Sequence, residues 1–387
     1  MNAILALAVS VVLGYHATSN APQVIGGQRA SIYLIGGAAT ESCPPATQYG
    51  DQYWLVGDTT TGITDGQRTP LYVSETADKW GKYVNVHPID GMLDAGNCYL
   101  PGWWTGGIPS AAQPVVQPYL RVQHEAIMGW ALGTLLPPLG VDLTRVSLRG
   151  SSMGGTGALL IGMAHPERYA VVWASVPSLE TASVADFSRN GIYPAPANTL
   201  MADTGMLYTD YMDAVAYAAD TSHPLPPILL DGGQADSFFA HFADFVRAVQ
   251  GRDDTLLVAA WTSSGHGETG GATRILATLN LGSFSTQGGY PLLTESTADA
   301  PDFSPLPAGA VAGINLDIGF DQVLDSSTSW SVRLWTTNPA GLCVNVRPGG
   351  AYRKYQVLEQ RKNVCLAPPV KGVAQKVTVS FGGDLYR

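Results

Sequence analysis

Val146–Gly157, which reads VSLRGSSMGGTG, decides how this sequence is interpreted. Alternating apolar residues lead into Gly150-Ser151-Ser152-Met153-Gly154, and a helical pattern begins at once, so a GxSxG motif lies at a predicted strand-to-helix turn. Such a turn exposes the serine oxygen above the carboxyl edge of a sheet, because the flanking glycines keep the neighbouring backbone clear. Ser152 is therefore the candidate nucleophile, and the backbone amide of Met153 at the helix N-terminus is the candidate oxyanion donor.

A serine hydroxyl needs a general base to act as a nucleophile. The candidate base is His266, because it lies in a loop with glycine on both sides, directly after the predicted strand Leu256–Trp261. The remaining histidines fit less well, since they precede the serine, lie in or at the end of a predicted helix, or adjoin a proline: His16, His87, His124, His165, His223 and His241.

The base in turn needs an acid that orients its ring. Two aspartates follow the strand that precedes the histidine strand: Asp231 ends the run ILLD, and Asp236 lies five residues further on in DGGQAD. Asp236 is better placed, at the loop tip just before the next helix. Asp231 is expected to order the turn that follows it, and it remains the alternative acid.

The wider sequence predicts an α/β fold. Short apolar runs alternate with helical patterns from about Ser31 to Leu281, which favours a mostly parallel sheet flanked by helices. The segment 177–226 interrupts this rhythm and is predicted to be an excursion over the sheet edge. The predicted strands are Ser31–Ile35, Tyr83–His87, Val146–Arg149, Val171–Ser175, Ile228–Asp231 and Leu256–Trp261. The predicted helices are Gln117–Leu136, Ser152–Ala164, Phe238–Val249 and Ala272–Leu281.

The sequence pattern predicts two domains joined by a linker. Residues 1–293 are predicted to form the catalytic domain, residues 294–308 a linker rich in Pro, Ser, Thr and Asp, and residues 309–387 a small all-β domain resembling a sandwich. Residues 1–17 leave two interpretations open. Their apolar run has the length of a signal-peptide core but lacks a preceding Lys or Arg, and it also suits a buried strand.

Composition excludes several classes of function. Of the 387 residues only 13% are charged, against about 25% in an average protein, and the net charge is −10. An acidic chain without a basic run argues against nucleic acid as a partner. No phosphate-binding GxxxxGK[ST] loop is present, no stable membrane insertion is expected, and no metal or organic cofactor is implied. The oligomeric state is left open.

The four cysteines predict an oxidising environment. With sparse charge and abundant Thr, Ser, Trp and Tyr, the chain looks secreted, extracellular or periplasmic, and two disulfides are then the simplest arrangement. The expected pairs are Cys43–Cys98 and Cys343–Cys365, since each closes a loop within one half of the chain. The alternative is four unpaired buried thiols in a cytosolic protein.

The order Ser152, Asp236, His266 and the stretch RGSSMGGTGALLIGMAHPERYAVVWASVP resemble the α/β-hydrolase superfamily. The resemblance is closest to its esterase branch, with esterase-D-like, feruloyl-esterase-like and polyhydroxyalkanoate-depolymerase-like enzymes, and it covers about Ser31 to Leu281. The family usually supplies a second oxyanion donor from an HG turn after an early strand. Gly37 is the counterpart here, although Gly36-Gly37 lacks the histidine, and the rival is Tyr15-His16-Ala17.

The resemblance implies a serine hydrolase that cleaves carboxylic esters through an acyl-enzyme. Absence of a propeller or other peptidase-gating domain also favours esters over amides. Trp103 and Trp104 lie in a Gly-rich loop expected beside the site, where they would bind polymeric or aromatic-acid esters, or else pack beneath the loop that contains Cys98. The alternatives are a serine peptidase or acylaminoacyl hydrolase, and a non-catalytic binding protein on a hydrolase scaffold.

Overall fold

The structure, a computed structural model, describes only part of the chain in continuous stretches. These are residues 17–25, 28–35, 53–59, 83–89, 115–116, 132–133, 141–151, 153–180, 200–201, 212–266, 270–279, 281–299, 302–326, 328–350 and 361–382, with single positions at 129, 205, 207 and 210. The chain divides into two compact units. The first contains 1–143, 148–161 and 177–217, and the second contains 144–147, 162–176 and 218–387.

The first unit contains four strands that pair antiparallel in the order β1-β2-β4-β3. Their bounds are β1 (Ala17–Ile25), β2 (Gln28–Ile35), β3 (Tyr53–Thr59) and β4 (Tyr83–Ile89). The predicted strands Ser31–Ile35 and Tyr83–His87 lie within β2 and β4 and are confirmed. In the same unit the short strands β5 (Val115–Val116) and β8 (Leu200–Met201) pair in parallel.

The strand-to-helix step of the GxSxG segment is confirmed on both sides of Ser152. Strand β6 (Val141–Ser151) ends immediately before that residue, and helix α1 (Met153–Ala164) begins immediately after it. Both elements contribute residues to the two units. The helix is buried along the run Gly155–Met163, as expected for a segment that is apolar on every side.

Three parallel strands form the centre of the second unit: β7 (Val171–Ser175), β9 (Ile228–Gly233) and β10 (Leu257–Thr262). Every residue of the three strands is buried, which explains why they read as continuous apolar runs rather than as alternating ones. Gly162 of α1 packs against β7, and a Cβ there would overlap Val172 Cγ2. The fold class predicted from the alternation of strands and helices is confirmed.

The described residues also contain the helices α2 (Ala214–Ala219), α3 (Phe242–Gln250) and α4 (Gly270–Thr278). Helix α3 buries one apolar face made of Phe242, Phe245, Val246 and Val249, while α4 packs against β10 and β9. The predicted helix from Phe238 to Val249 is present, but it begins as the 3-10 segment Ser237–His241, which Asp236 caps, and continues as α3.

The C-terminal part of the second unit consists of two three-stranded antiparallel sheets, in the orders β11-β15-β16 and β13-β14-β17. The strands are β11 (Tyr290–Thr294), β12 (Val311–Ile314), β13 (Ile318–Asp325), β14 (Ser329–Thr336), β15 (Leu342–Gly349), β16 (Lys362–Leu366) and β17 (Val377–Gly382). Strand β14 alternates buried and more exposed residues, because successive side chains of a strand point to opposite faces of the sheet.

Strand pairing runs across the predicted boundary at 294–308. Strand β12 pairs antiparallel with β10, with Thr262 opposite Val311. In the other direction, β11 pairs with β15, with Tyr290 opposite Gly349. Strands on the two sides of the predicted linker therefore pair with each other in the same sheets. The division into a catalytic domain, a linker and a C-terminal domain stays a prediction from sequence.

Some predictions fall on parts of the chain that are not described. Residues 1–16 and residues 351–360 of the predicted all-β domain lie outside the described residues, as does almost all of the predicted helix Gln117–Leu136. Within the described stretches, none of the helices combines the length and the apolar character that crossing a bilayer requires.

A disulfide joins Cys343 of β15 to Cys365 of β16, as predicted. The two residues are directly opposite one another in the antiparallel pair, with their Cα atoms 3.9 Å apart. The bond therefore links two adjacent strands of one sheet and closes the chain between them. The second predicted pair, Cys43–Cys98, lies outside the described residues.

We expect mass spectrometry of a non-reduced digest to find Cys343 linked to Cys365 and Cys43 linked to Cys98. Each bond should stabilise the protein by roughly 2–4 kcal/mol, because it restricts the unfolded chain. Serine at Cys343 and Cys365 together should lower the melting temperature, while reduction of that double variant should still expose the contribution of the other pair. Free thiols on the native protein, or a bond between the two halves, would contradict both pairings and the oxidising compartment.

Candidate active site

The candidate nucleophile, Ser152, lies outside the described residues, although the backbone on both sides of it is described. Behind it, α1 is fixed through Thr156, whose Oγ1 donates to Ser178 O at 3.1 Å and accepts from Ser178 N at 2.8 Å. Both groups are buried, so these two bonds hold the first turns of the helix in place. The amide of Met153 is the first of that helix, the position predicted for an oxyanion donor.

His266 and Asp236 meet in the structure. Asp236 Oδ2 accepts a hydrogen bond from His266 Nδ1 at 2.7 Å. The side chain of the aspartate is only 4% exposed, whereas that of the histidine is 36% exposed. A buried carboxylate on Nδ1 fixes the tautomer in which Nε2 carries no proton and can act as a base, and the ring is partly exposed.

The loops that carry these two residues are held together by their main chains. They follow β9 and β10, which are neighbours in the parallel sheet. Gln234 N donates to Thr262 O at 2.8 Å and Ala235 N donates to Ser264 O at 2.9 Å. Gly233 is required for this approach, because a Cβ there would overlap the carbonyl oxygens of the histidine loop, beginning with that of Ser264.

Asp236 has a second task in the fold. Its Oδ1 accepts a hydrogen bond from Phe238 N at 3.0 Å and so caps the 3-10 segment that follows. The ring of Phe238 then lies edge-on to the imidazole of His266, with the ring centroids 5.0 Å apart. The carboxylate therefore holds the base directly through one oxygen and positions an aromatic neighbour of the base through the other.

The alternative acid, Asp231, forms hydrogen bonds with side chains of strand β7. It is fully buried, and its Oδ1 and Oδ2 accept hydrogen bonds of 2.9 Å from Trp173 Nε1 and Ser175 Oγ respectively. Its carbonyl oxygen accepts from Val176 N at 2.7 Å. These contacts fix the end of β7 against β9, so the described geometry favours a structural task for Asp231 and the orienting task for Asp236.

A protein-family model matches the part of the chain that contains these residues. The model of the Prolyl oligopeptidase family matches residues 138–287, which include the GxSxG segment, Asp236 and His266. The match supports an α/β-hydrolase fold for this part of the chain. The match and the fold together support a hydrolase of the esterase and prolyl oligopeptidase type, and no curated protein sequence matches the chain.

Several solved structures are similar to this hydrolase at low identity. A thermostable esterase from Pseudomonas putida ECU1011 has 14% identity and a TM-score of 0.39, covering 68% of this chain and 79% of its own. An S-formylglutathione hydrolase from Agrobacterium tumefaciens has 19% identity and a TM-score of 0.38, with coverages of 65% and 87%. Porphyromonas gingivalis dipeptidyl peptidase 4 has 14% identity and a TM-score of 0.41, with coverages of 66% and 33%. Likenesses this distant do not transfer an activity to the hydrolase.

Four other histidines lie in described regions. His87 is a residue of β4, and His165, His223 and His241 each lie next to a carboxylate close in sequence. The separations between ring nitrogen and carboxylate oxygen are 3.1 Å for His165 and Glu167, 3.6 Å for His223 and Asp220, and 3.9 Å for His241 and Asp244. Each of these carboxylates is two or three residues away along the chain, so the pairs reflect local structure.

The remaining predicted site residues of the hydrolase lie outside the described residues: Gly37, Trp103 and Trp104. Two residues near the acid were not singled out from the sequence. Phe238 contacts the imidazole of His266, and Gln234 binds a segment far along the chain. Their only sequence signal is proximity to Asp236, which does not reveal a contact made by a side chain.

Proposed function

We propose that this hydrolase cleaves carboxylic esters, with Ser152 as nucleophile, His266 as general base and Asp236 as the acid that orients it. The observation that carries the proposal is the 2.7 Å hydrogen bond between Asp236 and His266 on loops that follow adjacent parallel strands. A GxSxG segment between β6 and α1 supplies the third member in the chain order of this superfamily.

The reaction proceeds in two acyl transfers. Ser152 Oγ attacks the ester carbonyl while His266 Nε2 takes its proton, and Asp236 stabilises the imidazolium that results. The tetrahedral oxyanion is stabilised by the amide of Met153, with Gly37 as the proposed second donor. Collapse of this intermediate expels the alcohol, which takes the proton from His266, and water then releases the acid from the acyl-enzyme by the same steps.

Esters are favoured over amides by the resemblance of residues 149–177 to the esterase branch. A serine peptidase is the second candidate, and the match of residues 138–287 to the Prolyl oligopeptidase family favours it. A panel of p-nitrophenyl esters and peptide anilides separates the two, since we expect turnover of acetyl and butyryl esters and none of the anilides. The reverse result would make the protein a peptidase. A folded protein that turns over neither class and binds no fluorophosphonate would be a binding protein.

The proposed compartment is outside the cytosol. The Cys343–Cys365 bond supports this, because structural disulfides persist mainly in secreted, extracellular and periplasmic proteins. Polymeric and aromatic-acid esters are the proposed substrates, since Trp103 and Trp104 are expected to offer a flat aromatic surface in a loop at the catalytic edge. A short acyl group would not reach them.

Alanine at Trp103 or Trp104 should lower kcat/KM on long-chain, aromatic or polymeric esters by roughly 10- to 100-fold, because apolar area removed from water is lost from the cleft. Turnover of acetyl esters should stay almost unchanged. Kinetics on matched acetyl and feruloyl esters of one alcohol, together with melting temperatures, make the measurement. Equal losses on both substrates with a lowered melting temperature would show that the pair only packs beneath its loop.

A further inference from the structure

Gln234, two residues before the proposed acid, holds a distant segment through its whole side-chain amide. Nε2 donates to Phe303 O at 3.1 Å and to Ser304 O at 2.9 Å. Oε1 accepts from Leu306 N at 2.8 Å. Both amide protons and the amide oxygen are therefore used by main-chain groups 69 to 72 residues further along the chain.

The segment that Gln234 binds, Asp302–Leu306, is called the strap here. Prolines at positions 305 and 307 flank Leu306, so its N–H is the single main-chain donor of that tripeptide, and Gln234 accepts it. At the start of the strap, Ser304 donates to Asp302 through its hydroxyl and its amide, and these bonds hold the pKa of Asp302 below its usual range. These bonds form a local turn at the start of the strap.

An aromatic stack fixes the strap to the strand that leads to the base. The ring of Phe303 stacks on Trp261 of β10, with centroids 4.5 Å apart and an angle of 27° between the planes. Trp261 is fully buried. Arg247 lies over the ring of Phe303, with its guanidinium carbon 5.4 Å from the ring centroid. His266 follows Trp261 by five positions along the chain, so one end of the strap is tied to the strand that leads to the base.

The main chain before Asp236 is consequently held from two directions. Its amides bind the histidine loop, and the side chain of Gln234 binds the strap. We propose that Gln234 is a positioning residue, which uses the strap to fix the acid loop and thereby the orientation of Asp236 toward His266. The strap, predicted to be a linker, then becomes part of the frame of the active site.

Glutamine suits this task because it is neutral and offers two donors and one acceptor. Leucine at this position would leave two carbonyl oxygens and one N–H without their partner, and glutamate could still accept from Leu306 but could not donate to Phe303 or Ser304. A loop freed in this way shifts the acid, and displacement of a catalytic group by about 1 Å can cost on the order of 100-fold in rate.

The inference rests on the proposed function for its kinetic test only. Gln234→Leu should lower kcat on p-nitrophenyl acetate by roughly 10- to 100-fold and change KM by less than about twofold, since positioning affects the transition state more than ground-state binding. Gln234→Glu should fall between wild type and the leucine variant, and it retains the bond to Leu306 if leucine prevents folding. Gln287→Leu, on an exposed turn, is the matched control and should retain wild-type kinetics.

A second measurement does not depend on ester hydrolysis. The Nδ1 proton of His266, identified by its loss in His266→Gln, should give an NMR signal that shifts and exchanges faster with water in Gln234→Leu, and stays in place in Gln287→Leu. A moved signal in a protein without esterase activity would support the positioning task and defeat the proposed function. An unmoved signal with wild-type kcat, even if the melting temperature falls, would overturn the inference and leave Gln234 a structural tether.

Discussion

Ser152→Ala should reduce ester hydrolysis by about 10⁵- to 10⁶-fold in kcat, the loss found when a triad serine is removed from a serine hydrolase. The effect is large because no acyl-enzyme can form, so His266 and Asp236 have no nucleophile to activate. Steady-state kinetics on p-nitrophenyl esters, with mass spectrometry to exclude contaminating wild-type enzyme, measure the loss. Circular dichroism should remain that of the wild type, since one hydroxyl is removed at a turn.

Ser151→Ala is the matched control for this substitution. Ser151 is the last residue of β6 and differs from the proposed nucleophile by one position in the same motif. We expect this variant to retain most of its activity and to react with a fluorophosphonate probe, which should label Ser152 alone. Activity above a few per cent in Ser152→Ala, or labelling of another serine, would refute the assignment of the nucleophile.

The central strands and the neighbourhood of the acid and base could be predicted because their signals are local. Strands β7, β9 and β10 are buried along their whole length, so each leaves a short apolar run between turn residues. Asp236 and His266 follow two such runs, and parallel strands bring their carboxyl ends to the same edge. The sequence therefore predicts their proximity, and the 2.7 Å hydrogen bond is consistent with it.

Contacts made over long sequence separations left no comparable signal. The segment 294–308 has the composition of a linker, yet Phe303 stacks on Trp261, and Gln234 binds three of its main-chain groups. Composition reports whether a segment can form regular structure, and the described residues 295–299 and 302–308 form no helix or strand. It does not report whether tertiary contacts fix them. Strand β1 was missed for a related reason, because its polar and proline-containing sequence becomes a strand by pairing with β2.

One α-helix begins later in the structure than the sequence pattern predicts. The periodic pattern from Phe238 to Val249 predicts one helix, whereas the chain forms a 3-10 turn first and begins α3 at Phe242. Asp236 fixes where this helical segment begins, because its Oδ1 caps the 3-10 turn while its Oδ2 binds His266. A residue that serves the site thereby sets the start of the helix, which periodicity alone does not encode.

Asparagine at the two aspartates should separate an orienting carboxylate from a structural one. Asp236→Asn should lower kcat on the order of 10⁴-fold, because the amide would donate to His266 Nδ1 and stabilise the tautomer whose Nε2 already carries a proton. The fold should persist, since an asparagine oxygen can still cap the 3-10 turn at Phe238. Steady-state kinetics, and loss of the Nδ1 proton signal of His266, make the measurement.

Asp231→Asn should show the opposite balance between activity and stability. Its side chain accepts from Trp173 Nε1 and Ser175 Oγ with no room for water, so an asparagine would turn its NH₂ toward one of these donors. Leaving that donor unpaired costs roughly 1–3 kcal/mol, and the melting temperature should fall while kcat, measured well below it, changes far less than in Asp236→Asn. Both variants are compared with wild type in the same buffer and at the same fraction folded. If kcat collapses in Asp231→Asn and survives in Asp236→Asn, the orienting acid is Asp231, and the hydrogen bond between Asp236 and His266 serves the loop rather than the reaction.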